Sequence, residues 1–117
     1  MTGAVRTLIC SPAMSEPVLP KHARVVVIGG GVIGCSVAYH LAHLGWKDIV
    51  LLERDRLTSG TTWHAAGLMV TFGSTSATST EMRKYTRDLY GRLEAETGLS
   101  TGFEPVGFIE LAAQRDR

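Results

Sequence analysis

The chain has 117 residues and a formal net charge of +1, with 44% hydrophobic and 20% charged residues. That is an ordinary globular composition with material for one small core. The interspersed charge excludes a basic nucleic-acid footprint or a polybasic membrane patch, and no apolar run approaches the ~18 residues of a membrane span.

Met1 to Ala23 contains Pro12, Pro17 and Pro20 and has no clear periodicity, so it reads as a poorly ordered leader (1–23) ahead of a folded region (24–117). A second start, Met14-Ser15-Glu16-Pro17, lies close to the first strand, so translation from either Met1 or Met14 fits the sequence. The first strand is Arg24 to Ile28, whose apolar run Val25-Val26-Val27-Ile28 suits a central parallel strand. Gly29-Gly30-Gly31-Val32-Ile33-Gly34 follows, then a helix over Val32 to Leu44. Ile33, Val37, Leu41 and Leu44 fall at helical spacing in it, with Ala38 and Ala42 beside them. Gly45 is the expected stop. Asp48 to Leu52 is a second buried strand ending in Glu53, which completes a βαβ unit with a parallel sheet.

Strand, glycine turn and helix together make G-x-G-x-x-G a dinucleotide-binding pattern rather than a loose match. Gly29 permits the tight turn. Gly31, lacking a Cβ, lets a pyrophosphate approach the backbone. Gly34 lets the helix pack on the strand. The N–H groups of the first helical turn, including Val32 and Ile33, face the phosphates with the positive end of the helix dipole. Glu53 lies 24 residues past Gly29, where a carboxylate is placed to accept hydrogen bonds from the adenosine ribose hydroxyls. Arg54 either meets the adenosine end or is a solvated charge.

Arg54 to Gly60 reads as a polar loop, Thr61 to Val70 as irregular and rich in small residues, and Gly73 to Thr80 as a Gly/Ser/Thr loop. Thr78-Ser79-Thr80-Glu81 reads as a capping box opening a helix that runs to about Thr97 and stops at Gly98. Its apolar face is Met82, Tyr85, Leu89 and Leu93, and Asp88 with Arg92 and Arg92 with Glu96 are i,i+4 pairs. Gly107 to Ala112 reads as a strand opening a different sheet. Cys10 and Cys35 lack C-x-x-C spacing and read as reduced thiols, not a metal site. His22, His40 and His43 have no partners at ligand spacing and read as structural or exposed.

The glycines suit either FAD or NAD. The stretch Gly60-Thr61-Thr62-Trp63-His64-Ala65-Ala66-Gly67-Leu68 follows the acid strand closely, at the same carboxyl edge of the sheet, and its small residues and hydroxyls suit passage along a ligand. Together with Gly-Gly-Gly-Val-Ile-Gly, Leu51-Leu52-Glu53-Arg54, Glu94 to Leu99 and Gly107 to Ala112, this stretch resembles the N-terminus of the sarcosine and dimethylglycine dehydrogenases. These are FAD-dependent amine oxidoreductases related to D-amino-acid oxidase. The resemblance runs from about Ala23 to the last residue, and Trp63-His64-Ala65-Ala66-Gly67 is its most specific part.

The resemblance implies an α/β chain made of the Rossmann-type βαβ unit of an FAD-binding domain, a long helix and the first strand of a substrate-side sheet. It further implies FAD held covalently by His64 through the 8α-methyl carbon of the flavin; a neutral imidazole is a competent nucleophile near neutral pH. The implied reaction is oxidation of a small N-methylated amino acid, sarcosine or dimethylglycine, by hydride transfer to flavin, with an unspecified electron acceptor. Tetrahydrofolate would belong to the full-length protein only, because the family's folate region lies far downstream. Residues of the substrate pocket are likewise absent, so no catalytic acid or base is named. Two rivals remain: a regulatory subunit like that of pyruvate dehydrogenase phosphatase, whose corresponding motif lacks the histidine, and an NAD-dependent dehydrogenase fragment.

The sequence ends on Gln114-Arg115-Asp116-Arg117 just after a strand-like run and reads as the N-terminal piece of a longer protein. The isolated piece is expected to be inactive and to hold FAD poorly, since one βαβ unit leaves a sheet edge and much apolar surface uncovered. A bacterial cytoplasmic enzyme fits a start at Met14; a mitochondrial matrix enzyme fits if Met1 to Ala23 is cleaved.

Overall fold

The computed structural model describes residues 5–9, 20–73, 75–109, 111 and 113. They fall into two compact units, Met1–Ala66 and Gly67–Arg117. In the first, strands β1 (Val5–Ile9), β2 (Val25–Ile28) and β3 (Ile49–Glu53) form a parallel sheet in the order β1-β3-β2. The expected βαβ unit is β2, helix α1 (Val32–His43) and β3, with Val25 opposite Ile49 and Ile28 opposite Leu52.

β1 departs from the leader reading. Val5 to Ile9 pairs with β3 from Val5↔Ile49 to Ile9↔Glu53. Its residues, Val-Arg-Thr-Leu-Ile, have strand propensity, and the second edge of β3 offers N–H and C=O groups that a ladder satisfies. That partner lies more than forty residues away, so local pattern does not reveal it. The rest of the leader reading, residues 1–4 and 10–19 with Cys10 and Met14, lies outside the described residues.

Helix α1 starts at Gly31, whose extended backbone carries no side-chain cap of its own. It ends in a Schellman motif: Gly45, at φ +83°, donates its N–H to Ala42 O at 3.0 Å, and Trp46 N–H reaches Leu41 O at 3.0 Å. This turn folds Trp46 back onto the core, where the Arg24 guanidinium lies 4.2 Å above its ring. The core centres on Ala38, Ile49 and Leu51, with Val27, Cys35, Leu41, Ala42 and Trp46 against it. The buried seam of α1 therefore differs from the expected stripe. Cys35, Ala38, Leu41 and Ala42 face the sheet, while Ile33, Val37 and Leu44 are exposed. A helix apolar nearly all round carries two candidate faces, and the small residues define the one that approaches β3.

In the second unit, helix α2 (Ala77–Thr97) begins earlier than expected. Its N-cap is Ser76, whose hydroxyl accepts the Ser79 N–H at 3.4 Å, so Thr78 lies inside the helix. Gly98, at φ +73°, closes it by donating to Glu94 O. Leu89 is buried and Leu93 half-buried, but Met82 and Tyr85 are exposed. Arg92 meets Glu96 at 3.0 Å as expected, whereas Asp88 pairs with its neighbour Arg87 rather than Arg92. Phe72 stacks on Phe108 with centroids 3.8 Å apart, and the Arg83 guanidinium donates to Phe72 O. The described residues of the Gly107 to Ala112 stretch form no strand; residues 110 and 112 lie outside the described set. A strand exists only with a partner edge. Among the described residues no helix is long and apolar enough to cross a membrane.

Candidate dinucleotide-binding site

Because β2 and β3 run parallel in register, the glycine turn after β2 and Glu53 at the end of β3 arrive at the same sheet edge. Gly29 leaves β2 at φ +104°, a region that excludes most side chains, and its N–H prolongs the ladder to Leu52 O at 2.8 Å. Gly34 sits directly on the turn: a Cβ there would lie 1.8 Å from Gly29 O. Two of the three expected glycine roles are thus visible as geometry. At Gly31 a Cβ would come to 3.1 Å of Thr62 Oγ1.

Gly30, the unassigned middle glycine, is buried and is the most crowded of the run after Gly34. A Cβ on it would meet Leu57 Cδ2 at 2.5 Å and Glu53 Cβ at 3.1 Å. Its N–H donates to Glu53 Oε2 at 2.6 Å, and its carbonyl accepts the Thr58 N–H at 2.9 Å and the Cys35 thiol at 3.4 Å. In the sequence its one signal is its place in the middle of three consecutive glycines.

Glu53 therefore faces the turn. Its other oxygen, Oε1, accepts the Asp55 N–H at 3.0 Å. The Gly30 and Asp55 N–H groups, in that order, hold its carboxyl below the ordinary value of 4.5, with the Arg54 backbone and charge adding to this and desolvation opposing it. A carboxylate offers about four acceptor positions, so acceptor capacity remains for a ligand. Burial and the Glu53 charge push the Cys35 thiol above its ordinary 9.0.

The segment after Glu53 returns to the turn. Leu57 packs on Gly30, Thr58 bonds to it, and Thr62 Oγ1 accepts the Val32 N–H at 3.0 Å, capping α1 from thirty residues away. Thr62 belongs to a 3-10 turn, Thr61–His64, that follows Gly60. Trp63 donates its indole N–H to Ser59 O at 3.1 Å, and its ring lies 3.7 Å from that of His64 at a 33° tilt. Arg54, Thr61, Trp63, His64, Ala65 and Ala66 are exposed. The structure thus gathers Gly29 to Val32, Gly34, Glu53 and Thr62 around one turn, and adds Leu57 and Thr58, which the sequence reading passed over. Gly67 and Leu68 belong to the second unit.

A glycine turn leading into the N-terminus of a 12-residue helix, with a carboxylate fixed beside it, suits an adenine dinucleotide. The comparisons identify the class. Residues 24–117 match the family model described as FAD dependent oxidoreductase. The chain belongs to that family, which implies FAD as cofactor and oxidoreductase chemistry.

Among similar proteins, sarcosine dehydrogenase of Homo sapiens is 49% identical over 112 residues, 95% of this chain and 12% of its own length. The formaldehyde-forming 4-methylaminobutanoate oxidase of Paenarthrobacter nicotinovorans is 48% identical over 105 residues, 90% of this chain and 13% of its own. The pyruvate dehydrogenase phosphatase regulatory subunit of Mus musculus is 48% identical over 99 residues, 85% of this chain and 11% of its own. The chain thus spans roughly an eighth of the relatives it matches. The resemblance to sarcosine and dimethylglycine dehydrogenases holds, and the NAD alternative gives way to FAD.

Proposed function

We propose that this chain is the FAD-binding beginning of a dehydrogenase that oxidises a small N-methylated amino acid, with His64 carrying the flavin covalently. The observation that supports it most is the run from Glu53 to His64. This segment is tied to the glycine turn at Glu53, Thr58 and Thr62 and presents an exposed imidazole immediately afterwards. The oxidase and dehydrogenase relatives are named for methylamino substrates, 4-methylaminobutanoate and sarcosine; dimethylglycine, for which a third relative is named, is the alternative substrate.

When bound, FAD supplies two-electron acceptance for oxidation of the N-methyl carbon. This chain's residues bind and orient it. The N–H groups of the first turn of α1 other than that of Val32, which Thr62 holds, face the pyrophosphate, and the free lone pairs of Glu53 accept from the ribose hydroxyls. Arg54 lies beside that end. His64 would hold the flavin through a ring nitrogen at the 8α-methyl carbon, the imidazole giving up its N–H proton, and the bound flavin would supply the electrophilic methyl carbon and accept the two electrons released. In the full protein the oxidised substrate loses its methyl carbon as formaldehyde or passes it to tetrahydrofolate. The bacterial cytoplasm is the proposed compartment, with the mitochondrial matrix as the alternative.

The experiment is a denaturing gel of the full-length gene product made with flavin supplied. The parent band is expected to fluoresce after acid treatment and the His64→Asn band to be dark. A dark parent band overturns the covalent link. The match to the phosphatase regulatory subunit favours a second reading, a flavoprotein-like subunit without turnover. Anaerobic addition of sarcosine or dimethylglycine separates the two: bleaching of the flavin absorbance marks the enzyme, and an unchanged spectrum marks the subunit.

A further inference from the structure

We infer that Thr62 is a positioning residue for His64, its hydroxyl fixing the histidine's turn to the N-terminus of α1 and so setting the imidazole in reach of the flavin methyl. The inference rests on the proposed covalent link. Helix α1 has an uncapped start, because Gly31 has no side chain to accept its first free N–H groups. Thr62 Oγ1 supplies the missing acceptor at Val32, 3.0 Å away. The connection between Thr62 and His64 is short and closed: both lie in one 3-10 turn, and Ala65 N–H bonds back to Thr62 O at 3.3 Å. Two residues of chain allow a Cα separation of at most about 7 Å, so a fixed Thr62 confines His64 to a small volume.

A second tether holds the other end of the segment. Thr58 donates its N–H to Gly30 O at 2.9 Å while its backbone sits at φ +63°. That conformation is costly for a β-branched residue, and such cost persists where the surroundings impose it. Both tethers grip the glycine turn, so the imidazole is referenced to the backbone proposed to hold the pyrophosphate. Covalent attachment demands a nucleophile and carbon held in attack geometry, and the free rotation of an exposed histidine on an untethered loop would not provide it.

The test uses Thr62→Val and Thr62→Ser in the full-length gene product, with two readouts: total flavin by absorbance before denaturation, and covalent flavin by fluorescence of the denatured band over time after FAD is added to apoprotein. Thr62→Val keeps the shape and loses the acceptor. Covalent incorporation per molecule of bound flavin is expected to slow about tenfold, the scale of one lost ordering hydrogen bond. Thr62→Ser is expected to restore the parental rate. Parental covalent incorporation in Thr62→Val overturns the inference. So does a parallel loss of total and covalent flavin, which would assign Thr62 to binding, and so does failure of Thr62→Ser to rescue. A parent without covalent flavin removes the His64 reading and this inference together, an outcome distinct from a covalent parent indifferent to Thr62.

Discussion

Glu53 Oε2 accepts the Gly30 N–H at 2.6 Å, joining the end of β3 to the turn after β2 across 23 residues of sequence. The same carboxylate takes the Asp55 N–H on its other oxygen. It thereby shapes the cradle from both segments. Gln at this position offers only one acceptor, so one of the two N–H groups would lose its partner. Glu53→Gln is expected to lower the unfolding temperature of the full-length product and, in a His64→Asn background where no covalent link can form, to weaken FAD retention, measured by flavin released on gel filtration.

The pH dependence of that effect has a fixed sign. The folded carboxyl is held below its ordinary 4.5, so its contribution is complete above the unfolded value and disappears as pH falls through the folded one. The difference in unfolding midpoint between the parent and Glu53→Gln is expected to be largest near neutrality, to shrink as pH falls below the ordinary carboxyl value of 4.5 and to vanish once pH has fallen past the folded one. A difference that persists at acid pH would show that the charge is not what holds the turn.

Two glycines should respond in opposite directions to alanine. In Gly34→Ala the new Cβ would lie 1.8 Å from Gly29 O, a backbone atom that moves only if the turn moves. Overpacking of this kind costs about 1–3 kcal/mol or more, and flavin retention should fall with it. Gly91 lies inside α2 with nothing within 4 Å of its Cβ. Gly91→Ala should stabilise α2 by about 0.5–1 kcal/mol. Hydrogen exchange in peptides from the two helices reads both effects.

The βαβ unit, the Gly29 and Gly34 geometry and the arrival of Glu53 at the glycine edge were legible because each depends on local pattern: an apolar strand, a glycine run, a helix of fixed length. What escaped depends on partners far along the chain. β1 is a strand only because β3 has an edge for it. The crowding at Gly30 comes from Leu57 and Glu53, and the cap on Val32 comes from Thr62. The buried seam of α1 differs from the expected stripe for a related reason: small Ala38 is buried in the core, while the larger Ile33 and Val37, though at helical spacing, are exposed.

The start of α2 offers a compact check on local capping. The Ser76 hydroxyl caps the helix, and Thr78 does not. Ser76→Ala should destabilise the helix by about 1 kcal/mol, and Thr78→Ala should change little. Hydrogen exchange at Ser79 and Thr80 distinguishes them; equal effects would restore the Thr78 capping box.

Among the described residues, each hydrogen bond that shapes the glycine turn has both partners between Gly29 and Thr62, inside the unit that ends at Ala66. During synthesis at about 5–20 residues per second, that unit is complete within seconds, long before a chain the length of its relatives is finished. The order of emergence therefore lets the cradle take shape first, and the remaining sequence can be laid down against a turn already set.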